Sequence, residues 1–425
     1  MKKTLLTICL VWMCFSLSAQ KIIDLSGKWS FSIDRQDNGE KEKWFSHTLN
    51  DFINLPGSMP EKLKGDEVTA KTQWTGSLYD SSYYYNPYME KYRKEGNIKF
   101  PFFLTPDKHY VGAAWYQKEV NIPADWKGER ILLFLERPHI ETTVWVNGQK
   151  TGMQNSLCVP HQYDITRYVR PGKCTITIRV DNRIKEINVG PDSHSITDQT
   201  QGNWNGIVGR ICLQTTPKTY FDDIQIYPEP EQKLARVKVV IKGTGTAKVK
   251  LSAESFNTDK KHIVPAIQQE IKLNKGVTET EMVLPMGNDM LLWDEFHPAL
   301  YKLKAEVTNG EKTEIKEIQF GMRRFEIKGK WFYVNGRKTQ LRGTVENCDF
   351  PLTGYAPMDV ESWERVFRIC RSYGLNHMRF HSFCPPEAAF MAADRVGFYL
   401  QPEGPSWPNH GPKLGLGQPI DKYLM

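Results

Sequence analysis

Between positions 346 and 407 the chain gathers carboxylates, an amide, imidazoles, a guanidinium and an indole at points where successive segments end. In "NHMRFHS" the alternation of a strand puts His377, Arg379 and His381 on one face and Met378 and Phe380 on the other. The flanking segments end similarly. "QLRGTVE" runs into Glu346, Asn347 and Asp349, and "GFYLQPE" runs into Glu403 and then Trp407. Three ionisable groups on one interior face are costly unless they are paired or face a solvated pocket. Many donors and acceptors beside a flat ring suit a polyhydroxylated ligand. A structural ion-pair cluster is the alternative. A metal set of His377, His381 and Cys384 has no further ligand to support it.

The elements that position these groups follow from the change in periodicity near Arg324. Asp359 caps a helix in which Trp363, Val366, Phe367 and Cys370 fall at i, i+3, i+4 and i+7, closed by Gly374. Pro386 opens a second helix and Gly397 closes it. Strand, helix, strand, helix, strand is the start of a parallel α/β fold, whose polar inward residues lie near the C-terminal strand ends. A full eight-stranded barrel needs about 250 residues, so positions 324–425 predict either a small open sheet or a barrel cut short.

Upstream the pattern is all-β. "KWSFSI" places Trp29, Phe31 and Ile33 on one face, and "CTITIRV" sets Ile176, Ile178 and Val180 against Thr175, Thr177 and Arg179. "TTVWVNGQKTG" predicts a hairpin turning at Asn147-Gly148. Many short strands with turns between them predict a sandwich or jelly roll over 20–217. Within it, positions 74–112 form a long aromatic-rich insertion without sustained period, expected to pack on its own rings. From 218 to 323, "ARVKVVIK", "AKVKLSA" and "YKLKAEV" alternate apolar residues with Lys or Glu, as in an immunoglobulin-like sandwich. No chemical constellation stands out there, so it reads as a spacer.

Composition narrows the function classes. The chain has 425 residues, a net charge of +7, and 12 Trp, 18 Tyr and 20 Phe. Its positive charge is spread thinly, with no basic stripe interleaved with aromatics, which argues against nucleic-acid binding. Lys2 and Lys3 precede an apolar run from Leu5 to Leu17 and small residues at Ser16, Ser18 and Ala19. That order predicts a secretory signal peptide over 1–19, an exported protein (periplasmic or secreted) and no membrane insertion. Cys9 and Cys14 lie in the leader. Cys158, Cys174, Cys212, Cys348, Cys370 and Cys384 show no zinc-like spacing and read mostly as buried thiols.

Several segments together resemble glycoside hydrolase family 2, which includes β-galactosidases, β-glucuronidases and β-mannosidases. "GAAWYQKEVNIP", "VWVNGQKTG", "YDIT", "VDNR" and "NWNGIVGRI" are similar to successive landmarks of that family's N-terminal sugar-binding jelly roll. "LLWDEFHPALYKLKAEV" is similar to the end of its immunoglobulin-like domain, and "FGMRRFEIKGKWFYVNGRKTQLRG" resembles the lead-in to its barrel. The implied architecture is multidomain: an all-β jelly-roll sandwich, an immunoglobulin-like β-sandwich, then the first part of a (β/α)8 TIM barrel.

The resemblance implies hydrolysis of terminal β-glycosides with retention, by two carboxylates about 5–5.5 Å apart. The family's acid/base usually follows Asn in an Asn-Glu pair after the fourth barrel strand, and the nucleophile follows the seventh. This sequence contains no Asn-Glu dipeptide. No catalytic residue is therefore assigned within it, and both carboxylates are expected beyond residue 425, the chain being a fragment of the working enzyme. Arg379 matches the second-strand Arg that steadies the nucleophile. Glu403 matches an acid bordering the site, which in some members helps hold magnesium; otherwise no cofactor is implied. Asp198 falls where the jelly roll reaches toward the sugar. The family's Asn, His and Glu after the first strand are replaced here by Glu346, Asn347 and Asp349, and its Ser-His-Tyr-Pro by "FHSFCPP", which moves the histidine to His381. The expected sugar-contacting residues are thus Arg379, His381, Glu403, Asn347, Asp349, Trp407 and Asp198. The rival from another class is a non-catalytic, lectin-like carbohydrate-binding protein. A scaffold that pairs with a second chain carrying the rest of the barrel is a third reading.

Overall fold

A computed structural model describes residues 20–75, 82–100, 106–185, 196–198, 202–348, 350 and 353–404. The leader, parts of the aromatic insertion, Asp349 and Trp407 lie outside the described residues. What is described is mostly β-sheet in three successive bodies.

The first body pairs two antiparallel sheets. One runs in the order Ile22–Asp24, Gly206–Thr216, Arg130–His139, His161–Asp164, with Gly57–Ser58 beside the second of these. The other runs Gln149–Asn155, Glu141–Val146, Gly172–Asp181, Ala113–Ile122, Gly27–Asp34, Asp51–Leu55. Both contribute to one core: Trp29, Phe31, Tyr116, Ile176 and Ile178 from the second sheet meet Leu133, Leu135, Ile211 and Leu213 from the first. The alternation of "CTITIRV" holds, with Ile176, Ile178 and Val180 fully buried. The opposite face is buried too, Thr177 at 1% and Arg179 at 7% exposure. The cause is long-range: Trp44, Phe45 and Leu49 lie over Trp115 and Trp145 on that face. At the predicted hairpin Asn147 and Gly148 both take positive φ, 49° and 76°, as a two-residue turn between right-twisted strands requires. The insertion packs on its own rings where it is described, Phe100 lying 4.8 Å from both Tyr83 and Trp74.

In the second body two 23-residue strands, Leu234–Phe256 and Ile263–Pro285, pair along their length. A register shift at Gly243/Gly245 divides the first of them. Its early half pairs with Tyr220–Glu229, and its later half with Leu300–Asn309. Both halves supply one core, from Val237 and Val239 to Val249 and Leu251.

The third body carries the expected strand–helix alternation. Gly343–Glu346, His377–Phe380 and Tyr399–Gln401 form a parallel sheet in that order, connected by helices Val360–Ser372 and Glu387–Val396. Asp359 accepts from the Ser362 amide at 2.7 Å, the predicted cap. Trp363 and Phe367 are fully buried, and Val366 and Cys370 pack half-buried beside them. Gly397 closes the second helix at φ 77°, where a Cβ would come within 2.7 Å of the Glu295 carbonyl oxygen.

Side-chain donors reaching backbone carbonyls tie the bodies together. Arg137 of the first body donates to the carbonyls of Cys384 (2.9 Å) and Pro385 (3.3 Å). From the second body, Trp293 donates to Asp394 O (2.7 Å) and Asn257 to Arg395 O (2.8 Å). In return, Arg371 donates to Glu295 O at 2.6 Å.

Candidate functional site

The second parallel strand is sorted by the alternation read from sequence. Met378 and Phe380, 2% and 0% exposed, face the helices, while His377 and Arg379 lie half-buried on the other side. Just past this strand His381 is anchored by its amide donating to Glu346 O at 2.9 Å, so the ends of the first and second strands are locked in register. The third strand leads to Glu403, whose amide donates to Phe383 O at 3.3 Å.

These anchors bring three predicted residues into one cluster. Arg379 Nε donates to Glu403 Oε1 at 2.5 Å, and Arg379 Nη2 lies 3.0 Å from His381 Nδ1. His381 Nδ1 is also 3.4 Å from Glu403 Oε2. A guanidinium only donates and a carboxylate only accepts, so one ring nitrogen cannot satisfy both at once. Burial pushes the Glu403 carboxyl up, but hydrogen bonds from Arg379 and His381 and their charges outweigh this and hold it below its ordinary range. Burial alone pushes His377 down.

Asn347 adds an amide oxygen at the end of the first strand, buried and without a hydrogen-bond partner. Its neighbour Cys348 lines a cavity of about 50 Å³ between the first and third bodies, shared with His139, Trp204, Tyr355 and Phe383. His139 stacks on Trp204 at 4.5 Å, and the Asn203 side chain lies beside its buried ring. Burial drives its pKa down to about 3, so the ring is neutral. Buried polar atoms left unpaired carry a desolvation cost that a ligand hydroxyl offsets.

Asp198 plays a different local part. It is 3% exposed, and its oxygens accept from the amides of Thr75 (2.6 Å) and Asn203 (3.0 Å). It thereby fixes the loop that delivers Trp204 to the junction. Asp349 and Trp407 are outside the described residues. Sequence reading missed Arg137, His139 and Tyr355. No periodicity marks a contact such as Arg137 to Cys384, 247 positions apart.

A magnesium ion does not fit this donor set. Both Glu403 oxygens face Arg379 and His381, and the described residues contain no group of three His, Cys, Asp or Glu able to hold a metal.

Comparison with known proteins gives a consistent picture. The chain is 25% identical over 334 residues to a β-galactosidase of Thermoanaerobacter pseudethanolicus, covering 74% of this chain and 42% of that protein. It is 23% identical over 407 residues to a β-glucuronidase of Paenibacillus borealis, covering 91% and 59%. Its fold matches a β-glucuronidase from Ruminococcus gnavus in complex with D-glucaro-δ-lactam, with a TM-score of 0.66 at 20% identity over 91% of this chain and 60% of that one. The chain thus spans about two fifths to three fifths of the length of these proteins. The family model described as "Glycosyl hydrolases family 2, sugar binding domain" matches residues 22–217, and "Glycosyl hydrolases family 2" matches 219–323. On these two adjoining matches, the chain belongs to glycosyl hydrolase family 2.

Proposed function

We propose that this chain supplies the sugar-holding part of an exported, retaining exo-β-glycosidase acting on terminal β-linked hexose or hexuronic acid units. On this reading the first body is the family's jelly roll, the second its immunoglobulin-like sandwich, and the third the opening of a (β/α)8 barrel. The single observation that carries the reading is the Arg379–Glu403–His381 cluster at adjoining ends of parallel strands, where such folds place their sites. A guanidinium held by one carboxylate keeps further N–H donors for a second anion, which suits Arg379 to steadying a catalytic carboxylate. Asn347 Oδ1, unpaired among the described residues, supplies a polar atom for a sugar hydroxyl. The reading calls for no cofactor.

Because the sequence lacks an Asn-Glu dipeptide, the acid/base and nucleophile are proposed to lie outside these 425 residues. That same fact favours a second reading, a sugar-binding protein without turnover. The test is ligand-observed NMR with p-nitrophenyl β-D-glucuronide and β-D-galactoside, alongside p-nitrophenolate release. Saturable binding of the neutral galactoside that Arg379→Ala removes is expected, without release by this chain. A protein extended to the length of its relatives should release p-nitrophenolate; binding without release there favours the second reading. Binding of neither glycoside overturns both.

A further inference from the structure

We propose that a cavity on the first body, edged by Lys218 where the second body begins, is a second saccharide site, separate from the strand-end cluster and selective for anionic sugar units, uronic acid or sulfated. The cavity holds about 590 Å³, within the range of about 300–1,000 Å³ typical of ligand pockets. Its floor is apolar: Ile122, Trp126, Ile131 and Val169 are each 4% exposed or less. Such a floor suits the C–H face of a pyranose ring.

The rim carries the selectivity. Lys127, Arg130, Arg170 and Lys218 line the cavity with only two carboxylates, Glu129 and Asp164. Both acids are already engaged. Asp164 accepts from Arg130 Nε at 2.8 Å and from Thr166 Oγ1 at 2.5 Å, and Glu129 is paired with Lys312 at 2.5 Å. Arg170 donates only to the carbonyls of Val169 and Arg167, which leave its charge in place. Lys127 and Lys218 are exposed, and their side chains make no hydrogen bond or ion pair among the described residues. Four cations line the cavity beside two carboxylates that are already engaged, which leaves a net positive field there. Neutral sugars find little here, because the one hydroxyl on the rim, that of Thr166, already serves Asp164 and Ile131. Charge is what this site can read.

The test is calorimetric titration of the full chain with three hexasaccharides: oligogalacturonate, a sulfated galactan free of carboxylates, and neutral maltohexaose. Binding of one or both acidic probes is expected, and which of them binds tells carboxylate from sulfate. The double variant Lys127→Glu, Lys218→Glu should weaken binding at least tenfold with an unchanged circular dichroism spectrum, both side chains being exposed. A matched reversal of the exposed Lys248 and Lys272 on the second body should retain wild-type affinity, as should Arg379→Ala. The proposal is overturned if neither acidic probe binds, if maltohexaose binds as well as they do, or if the Lys248/Lys272 reversal weakens binding as much as the Lys127/Lys218 reversal.

Discussion

Arg379 and Glu403 stand on adjoining parallel strands, Nε to Oε1 at 2.5 Å, and the same guanidinium reaches His381 through Nη2. One cation thus aligns a carboxylate and an imidazole that arrive from different loops. Replacing Arg379 with Ala should weaken binding of the neutral galactoside by about 30- to 100-fold, the scale of a lost hydrogen bond to a charged group. The Arg379 side chain is 40% exposed, so the melting temperature should move little. Arg379→Lys keeps the charge but not the fork, and should recover only part of the affinity. Binding isotherms of the three proteins decide this.

Glu403 gives a pH signature. Its pKa is depressed in the folded state, so its favourable contribution is complete above the ordinary carboxylate value of 4.5 and is lost as pH falls through the folded value below that. An NMR titration of the Glu403 carboxyl should show a midpoint below 4.5 in the wild type, moving upward in Arg379→Ala. An unchanged midpoint would mean that Arg379 does not hold the carboxylate in solution.

In the first body, Asp181 is fully buried and meets Arg183 (2.6 Å), Lys185 (2.7 Å) and Arg179 (3.0 Å). Burial raises its pKa, but hydrogen bonds from Arg183 and Lys185 overcome this and depress it strongly. Asp181→Asn should cost about 3 kcal/mol at neutral pH, because it leaves a buried cation cluster short of its counter-charge. The wild-type advantage is present above 3.8 and shrinks as pH falls below it. Denaturant melts of both proteins at neutral and acidic pH measure the difference.

Arg137→Ala should loosen the loop after the second parallel strand. It removes a charged donor from the carbonyls of Cys384, Pro385 and Cys158, at a cost of about 1.5–3 kcal/mol. Hydrogen exchange over residues 381–386 should accelerate, while exchange in the second body stays as in the wild type.

Trp363→Ala tests whether the third body owns a core of its own. The ring is fully buried against Phe367, Phe380 and Phe350, and its Nε1 donates to Pro357 O at 2.8 Å. A loss of about 3–5 kcal/mol is expected. A calorimetric melt should show it in a transition separate from that of the first body.

The strand-end cluster was legible because alternation is local: His377 and Arg379 fall opposite Met378 and Phe380 by spacing alone. Helix caps and the Asn147-Gly148 turn were legible for the same reason. The junction cavity was not. His139, Trp204 and Tyr355 meet through loops distant in sequence, and each alone reads as an ordinary buried ring. The second buried face of the strand bearing Arg179 was hidden likewise, since the segment with Trp44 and Phe45 covers it from far along the chain.

The ties between bodies have a directional consequence for how this sequence can drift. Arg137, Arg371, Trp293 and Asn257 each supply the donor, and the acceptors are main-chain oxygens of Cys384, Glu295, Asp394 and Arg395. Every amino acid carries such an oxygen. Taken alone, these four bonds therefore survive exchange of the acceptor's side chain, although Glu295, Asp394 and Arg395 also use their side chains across the joint, whereas each donor position is irreplaceable by most residues. Among homologous sequences the four donor positions should accordingly hold, while an acceptor position such as Cys384 should vary.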